Sequence, residues 1–276
     1  MKLKNIIFVL ISLIWGTTLP LHVLAETVLE KIKRTGEMSV GLRKDAIPFG
    51  YIDTEEKWTG YSVELIRLIH QQVEKELNQT IKLNLKEATI DSRFRIVQQG
   101  TVDIMCGATT ITQTRLKKVD FSAPFFMTGA QFLVKLQDAA NFDYNGTLNN
   151  ISLAFLPGTT TQEIIPQIYP SANWKNIKSR REGIEKLKKD EVKAVVSDGI
   201  LLLGEIIQQG NNPQDFVLMP SQPITTELYG CVLPQRNPQW KRLVNLTILD
   251  PQNRMLQEKW FSIDKGEFPY IIWNNP

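Results

Sequence analysis

Three short stretches carry side chains suited to gripping a small charged molecule. The run Gly107-Ala108-Thr109-Thr110-Ile111-Thr112-Gln113-Thr114-Arg115 follows an apolar strand pattern and enters a helical one. Backbone N–H groups, threonine hydroxyls and the Arg115 guanidinium converge there, which suits a carboxylate. Pro157-Gly158-Thr159-Thr160-Thr161 repeats the arrangement, and Asp198 ends the apolar run Ala194-Val195-Val196-Ser197 with a carboxylate. One anion cradle facing one acid would hold a zwitterion. Taken singly, a Gly-Thr-Thr turn reads more simply as a helix cap, and an aspartate at a strand end as an Asx turn or N-cap.

Catalytic and metal chemistry have little to build on. The histidines are His22 and His70, and His22 falls in a segment expected to be removed. His70 lies in the amphipathic stretch 66–73 and reads as a partly exposed helical residue. Two cysteines and one histidine cannot complete a four-ligand zinc site without carboxylates, so neither metal nor cofactor is expected. Neither a GxxxxGK[ST] nor a GxGxxG pattern is present, which removes support for a nucleotide. Glu163 and Glu227 are the conceivable general acids of an enzyme. Both read more simply as exposed helix and hinge carboxylates.

Short apolar strands alternating with helical stripes must position these residues, which predicts an α/β fold. Strands are expected over 38–42, 81–85 and 102–106, with helices over 62–77, 93–99 and 112–118. A second set follows: strands 151–156, 194–197 and 216–219 with helices 161–168, 183–189 and 200–208. The segments 131–134 and 228–233 bracket that set, and each reads as an extended strand passing between two lobes. Helices over 239–249 and 254–261 would return to the first lobe. The expected division is therefore a first lobe of 26–134 plus 228–276 and a second lobe of 135–227.

The 276 residues are 42% apolar and 22% charged, which excludes disordered, collagen-like and disulfide-scaffold classes. Thirty-two Lys and Arg against 29 Asp and Glu give +3, and removing Lys2 and Lys4 leaves +1. So small a charge gives no footprint for nucleic acid or an anionic membrane. Lys2, Lys4, the apolar stretch 6–15 and Val23-Leu24-Ala25 form a secretory signal peptide over 1–25. No later stretch approaches 18 uncharged apolar residues. A soluble, exported, periplasmic monomer is expected, in which Cys106 and Cys231 pair as a disulfide.

Read in order, these marks gain a resemblance. Gly41-Leu42-Arg43, Pro48-Phe49-Gly50-Tyr51, 60–65, 106–115, 119–126 and Thr128-Gly129 together resemble the family 3 extracellular solute-binding proteins, which deliver amino acids to ABC importers. Cys106-Gly107, Tyr229-Gly230-Cys231 and Lys259-Trp260-Phe261 resemble its glutamate/aspartate-binding branch most. The resemblance implies a type II periplasmic-binding fold of two lobes joined by two hinge strands, with a free amino acid between them. It implies that Arg115 clamps the ligand α-carboxylate with Thr110 and Thr160, and that Asp198 accepts the α-ammonium group. Arg43 and Arg93 match the arginines that hold a side-chain carboxylate. Arg43 is otherwise a surface salt-bridge residue, and either Arg93 or Arg95 is simply solvated.

Two departures stand out. Ile90 and Ala108 replace serines near the ligand, so the Ala108 backbone would have to serve. Arg180 or Arg181 lies near a position where such relatives carry a histidine. The implied function is binding of glutamate or aspartate by hinge closure for membrane permease subunits, without turnover. The alternatives are a broader polar amino-acid range or a prephenate or arogenate dehydratase on the same fold.

Overall fold

The structure, a computed structural model, describes residues 26–262. The expected signal peptide lies outside the described residues. The first sheet is built on Glu37–Leu42, which runs parallel to Lys82–Glu87 with Glu37 opposite Lys82, and to Ile104–Cys106 with Val40 opposite Ile104. Val232–Leu233 and Asp120–Phe121 complete its five strands in antiparallel pairing. Helix Tyr61–Leu77 lies against it, because Val63, Ile66, Ile69 and Val73 recur at helical spacing and all are buried. Burying each such side chain stabilises the lobe by about 1.5–3 kcal/mol. Trp240, Val244 and Phe261 of the two last helices, Pro238–Ile248 and Pro251–Phe261, join the same core.

The second sheet has the order Asn173–Asn176, Ser152–Phe155, Ala194–Asp198, Ala130–Lys135, Phe216–Met219. Its first three strands are parallel and the last two antiparallel to their neighbours. Helices Thr160–Ile168, Arg180–Lys188 and Gly199–Gln208 cover it. Ile165 packs with Phe132, Leu153 and Val196, while Ile184, Leu187 and Leu202 pack with Val195.

Three expectations need correction here. Residues 130–134 belong to the second sheet and not to the first lobe, since Val195 pairs with Leu133 and Val196 with Phe132. The crossings fall instead at Phe126–Thr128 and Glu227–Tyr229, which pair antiparallel with Tyr229 opposite Phe126. The stretch 228–233 is thus two strands, broken at Gly230-Cys231, and only its first part crosses. At the break, Cys231 is bonded to Cys106 at the end of a first-lobe strand. Helix Arg180–Lys188 also begins a turn earlier than its apolar pattern, because Ser179 caps it through Glu182 N.

The lobes touch. Ile200 and Leu201 of the second lobe lie in one apolar cluster with Ile47 and Phe49 of the first. Among the described residues no helix is long and apolar enough to cross a membrane. Arg43, Gly107, Pro157 and Asp198 all stand at or just beyond the carboxyl ends of parallel strands, where open α/β sheets form their ligand crevice.

Candidate functional site

The seven residues nominated as ligand contacts, Arg43, Arg93, Ala108, Thr110, Arg115, Thr160 and Asp198, line a single cavity between the lobes. Arg180 lines it too, and Arg181 does not; Arg181 is exposed and pairs with Glu205 at 3.4 Å. Arg95 is likewise exposed, whereas Arg93 is 3% exposed. The sequence left both choices open, and burial resolves them.

The first lobe supplies most of the positive charge. Thr112 caps the short helix Gln113–Leu116 by accepting from Arg115 N at 3.2 Å, which fixes the base of the Arg115 side chain. Arg115 Nη1 then donates to Thr110 O at 2.8 Å. Arg93 Nη1 donates to Ile90 O at 2.5 Å and Nη2 to Gly158 O at 2.9 Å, while its buried Nε has no partner among the described residues. Both guanidinium groups stand over the ring of Phe94, at 4.7 Å for Arg93 and 5.5 Å for Arg115. Arg43 is 2% exposed, so it is no surface residue, but it does form a salt bridge. Its Nε and Nη2 donate to the two Asp45 carboxylate oxygens at 2.8 and 2.7 Å, and Nη1 donates to Ala108 O at 3.1 Å. The Ala108 carbonyl is therefore already engaged.

From the second lobe, the turn Pro157-Gly158-Thr159 aims a helix N-terminus at the cavity. Thr159 is the cap, accepting from Gln162 N, and this frees Thr160 to face inward. Gly158 is required: its φ is +74° and an added Cβ would meet Ile90 at 2.8 Å. Asp198 is the last strand residue and sits at the N-cap of helix Gly199–Gln208, yet its side chain makes no capping bond. It accepts instead from the Tyr229 hydroxyl. The simpler reading thus holds for Thr112 and Thr159, the capping threonines, and fails for Asp198.

Burial governs the electrostatics. It draws the Arg93 guanidinium down to about 9, helped by the like charges of Arg43 and Arg115. Burial also lowers Arg115 and Arg180. None of these three forms an ion pair among the described residues; Arg43 alone does, with Asp45. Burial would raise Asp45, but the adjoining Arg43 guanidinium overrides it and holds the carboxyl down to about 2. Asp198 and Glu227 are both pushed upward, chiefly by burial.

Glu227 departs from its expected exposure. It is 1% exposed, accepting from the Thr160 hydroxyl at 2.9 Å and the Thr225 hydroxyl at 3.0 Å. Glu163 is exposed, as its helical position predicts. Sequence reasoning passed over Asp45, Tyr229 and Ser197 as site residues. For Asp45 the one signal was an acid two residues from Arg43, across the bend at Lys44. Among the described residues no group of three His, Cys, Asp or Glu side chains is placed to hold a metal. His70 sets its Nε2 2.6 Å from Ile81 O, a structural contact away from the cavity.

Residues 38–263 match the model of the bacterial extracellular solute-binding proteins, family 3. The chain belongs to that family. It is 32% identical over 244 residues to the L-glutamate/L-aspartate-binding protein of Pseudomonas aeruginosa, covering 85% of this chain and 80% of the relative. It is 30% identical over 184 residues to the glutamine-binding protein of Geobacillus stearothermophilus, covering 66% and 69%. Among solved structures it resembles the ancestral amino acid-binding protein AncCDT-1, a precursor of cyclohexadienyl dehydratase. That match has a TM-score of 0.73 at 25% identity and covers 86% of this chain and all of the other. This family member is a solute-binding protein, as are the curated relatives it matches.

Proposed function

We propose that the chain is the ligand-capturing component of an ABC importer for amino acids, that it works in the periplasm, and that its ligand is L-glutamate or L-aspartate. The observation that carries the acidic specificity is the charge within the cavity. Arg93, Arg115 and Arg180 are buried there without ion-pair partners among the described residues, in a lining that also holds Asp198. One guanidinium is needed for the α-carboxylate and Asp198 for the α-ammonium group, which leaves positive charge over. A neutral ligand would leave that charge uncompensated at roughly 3–5 kcal/mol. At 1.4 kcal/mol per tenfold, neutral side chains should bind on the order of 100-fold more weakly.

Binding proceeds by closure. The first lobe presents Arg115 and Thr110, and the ligand docks there. The second lobe then brings Thr160 and Asp198. A ligand shifts the lobes only through contacts that improve on closing, and those two residues supply them. The closed form is what the membrane permease subunits recognise. A thermal-shift screen of the twenty amino acids tests the reading, since saturation at 100 Kd stabilises by about 2.7 kcal/mol. The expected outcome is a clear shift with glutamate or aspartate. A shift with glutamine, cystine or arginine and none with either acid would overturn it.

A further inference from the structure

We infer that the ligand's distal carboxylate is held by Arg93 and Arg180, one guanidinium from each lobe, and that Arg43 is kept from that contact by Asp45. This rests on the acidic-ligand reading above and assigns its specificity residues. Arg43 presents its Nε–Nη2 edge, the one suited to a carboxylate, to Asp45, and another of its N–H groups is taken by the Ala108 carbonyl. Asp45 thus sits on Arg43 as a built-in counter-anion. The pair is charge-balanced, and a second carboxylate arriving there meets Asp45 as well as Arg43.

Arg180 forms no ion pair among the described residues, although Asp45 and Asp198 both act on its charge from nearby. It is 5% exposed, donates from Nε to Ser197 Oγ at 3.0 Å, and reaches across the cleft to donate from Nη1 to Asp45 O at 3.0 Å. These bonds orient the side chain without neutralising it. Arg93 is in the same condition: two carbonyls orient it, one of them Gly158 O from the opposite lobe, and Nε is unpartnered. Backbone carbonyls and a hydroxyl cannot discharge a buried guanidinium; an incoming carboxylate can. Because Arg180 arrives with the second lobe, discrimination between acid and amide side chains is exercised at closure.

Titration calorimetry with L-glutamate and L-glutamine on three variants tests the assignment. Arg180→Gln should cut the glutamate-over-glutamine preference by about 10- to 100-fold while leaving glutamine affinity within a few-fold. Arg180→Lys should restore part of the preference. The double variant Arg43→Gln with Asp45→Asn removes a balanced pair and should keep the preference within about threefold. Loss of preference in that double variant, with preference kept in Arg180→Gln, makes Arg43 the clamp and overturns the inference. Equal loss of both ligands in Arg180→Gln, with no recovery in Arg180→Lys, reduces Arg180 to an interlobe contact and overturns it too. An unmodified protein that binds neither glutamate nor aspartate fails the acidic-ligand reading itself, which is visible before any variant is compared.

Discussion

The Tyr229 hydroxyl donates to Asp198, so the acid nominated for the ligand's ammonium group already has a donor when the lobes are closed. Tyr229 lies on the returning crossing strand and Asp198 at the tip of a second-lobe strand. The bond therefore spans the cleft and stands where the ammonium group would make its own. Binding exchanges or shares that donor, and the ammonium charge is the stronger partner for an ionised carboxylate. Asp198→Asn should weaken amino-acid binding by about 3 kcal/mol, on the order of 100-fold, in calorimetric titration. An unchanged titration would place the ammonium contact elsewhere.

The same burial makes binding depend on pH. Asp198 and Glu227 titrate above their ordinary values in the folded protein. Their contribution to stability is fully present below about pH 4, the unfolded range, and is lost as pH rises through the raised folded values. Gripping an ammonium group requires Asp198 ionised, so affinity should rise with pH across that window and binding should release protons. Titration in two buffers of different ionisation enthalpy reads the release directly. Asp45 works the other way: held at about 2, it contributes stability present above about pH 4 and lost as pH falls through 2. Asp45→Asn should flatten that acid limb in a pH-stability profile, and an unaltered limb counts against the Arg43–Asp45 pairing.

Arg115→Ala should abolish amino-acid binding. The side chain is fixed at its base by the Thr112 cap and at its tip by Thr110 O, while Arg93 and Arg180 are held in other places by carbonyls and the Ser197 hydroxyl. Retention of micromolar affinity in calorimetry would refute the clamp assignment.

The lobes and most of the cavity were legible in the chain because strand ends and helix starts announce themselves. Gly107 through Arg115 and Gly158 through Thr160 combine turn residues with caps, and these are local signals. Glu227 was misjudged because its burial comes from Thr160, 67 residues away, and no local pattern carries that contact. Residues 130–134 were assigned to the wrong lobe because an apolar run states that it is buried, not in which sheet. The partners of this strand, Ala194–Asp198 and Phe216–Met219, lie between 62 and 87 residues on. Arg43 was the hardest to judge, since a surface salt bridge and a cavity wall require the same residue type; the answer combines both.

The Cys106–Cys231 disulfide closes a loop of 125 residues that contains the whole second lobe. Constraining so long a loop in the unfolded chain should stabilise by about 2–5 kcal/mol. Both sulfurs are buried in the first lobe, away from the cavity lining. The double variant Cys106→Ser with Cys231→Ser should lower the thermal midpoint clearly while ligand affinity of the folded protein stays within a few-fold. A collapse of affinity without a change in midpoint would mean that the bond tunes the hinge instead.

Closure itself can be tested at a glycine. Gly204 lies within helix Gly199–Gln208, where an alanine favours the helix by about 1 kcal/mol. In the closed arrangement, however, an added Cβ would stand 2.4 Å from Ile47 O of the first lobe. Since that neighbour is backbone, it cannot swing aside as a side-chain tip could. Gly204→Ala should therefore leave each lobe at least as stable as before and penalise only their approach. Overpacking of this kind costs about 1–3 kcal/mol, which appears as a roughly 5- to 100-fold loss of ligand affinity. Small-angle scattering should show the ligand-induced contraction displaced to higher ligand concentration. Unaltered affinity together with unaltered contraction would mean that the helix containing Gly204 does not approach Ile47 when ligand is bound, and that the lobes meet by a different face.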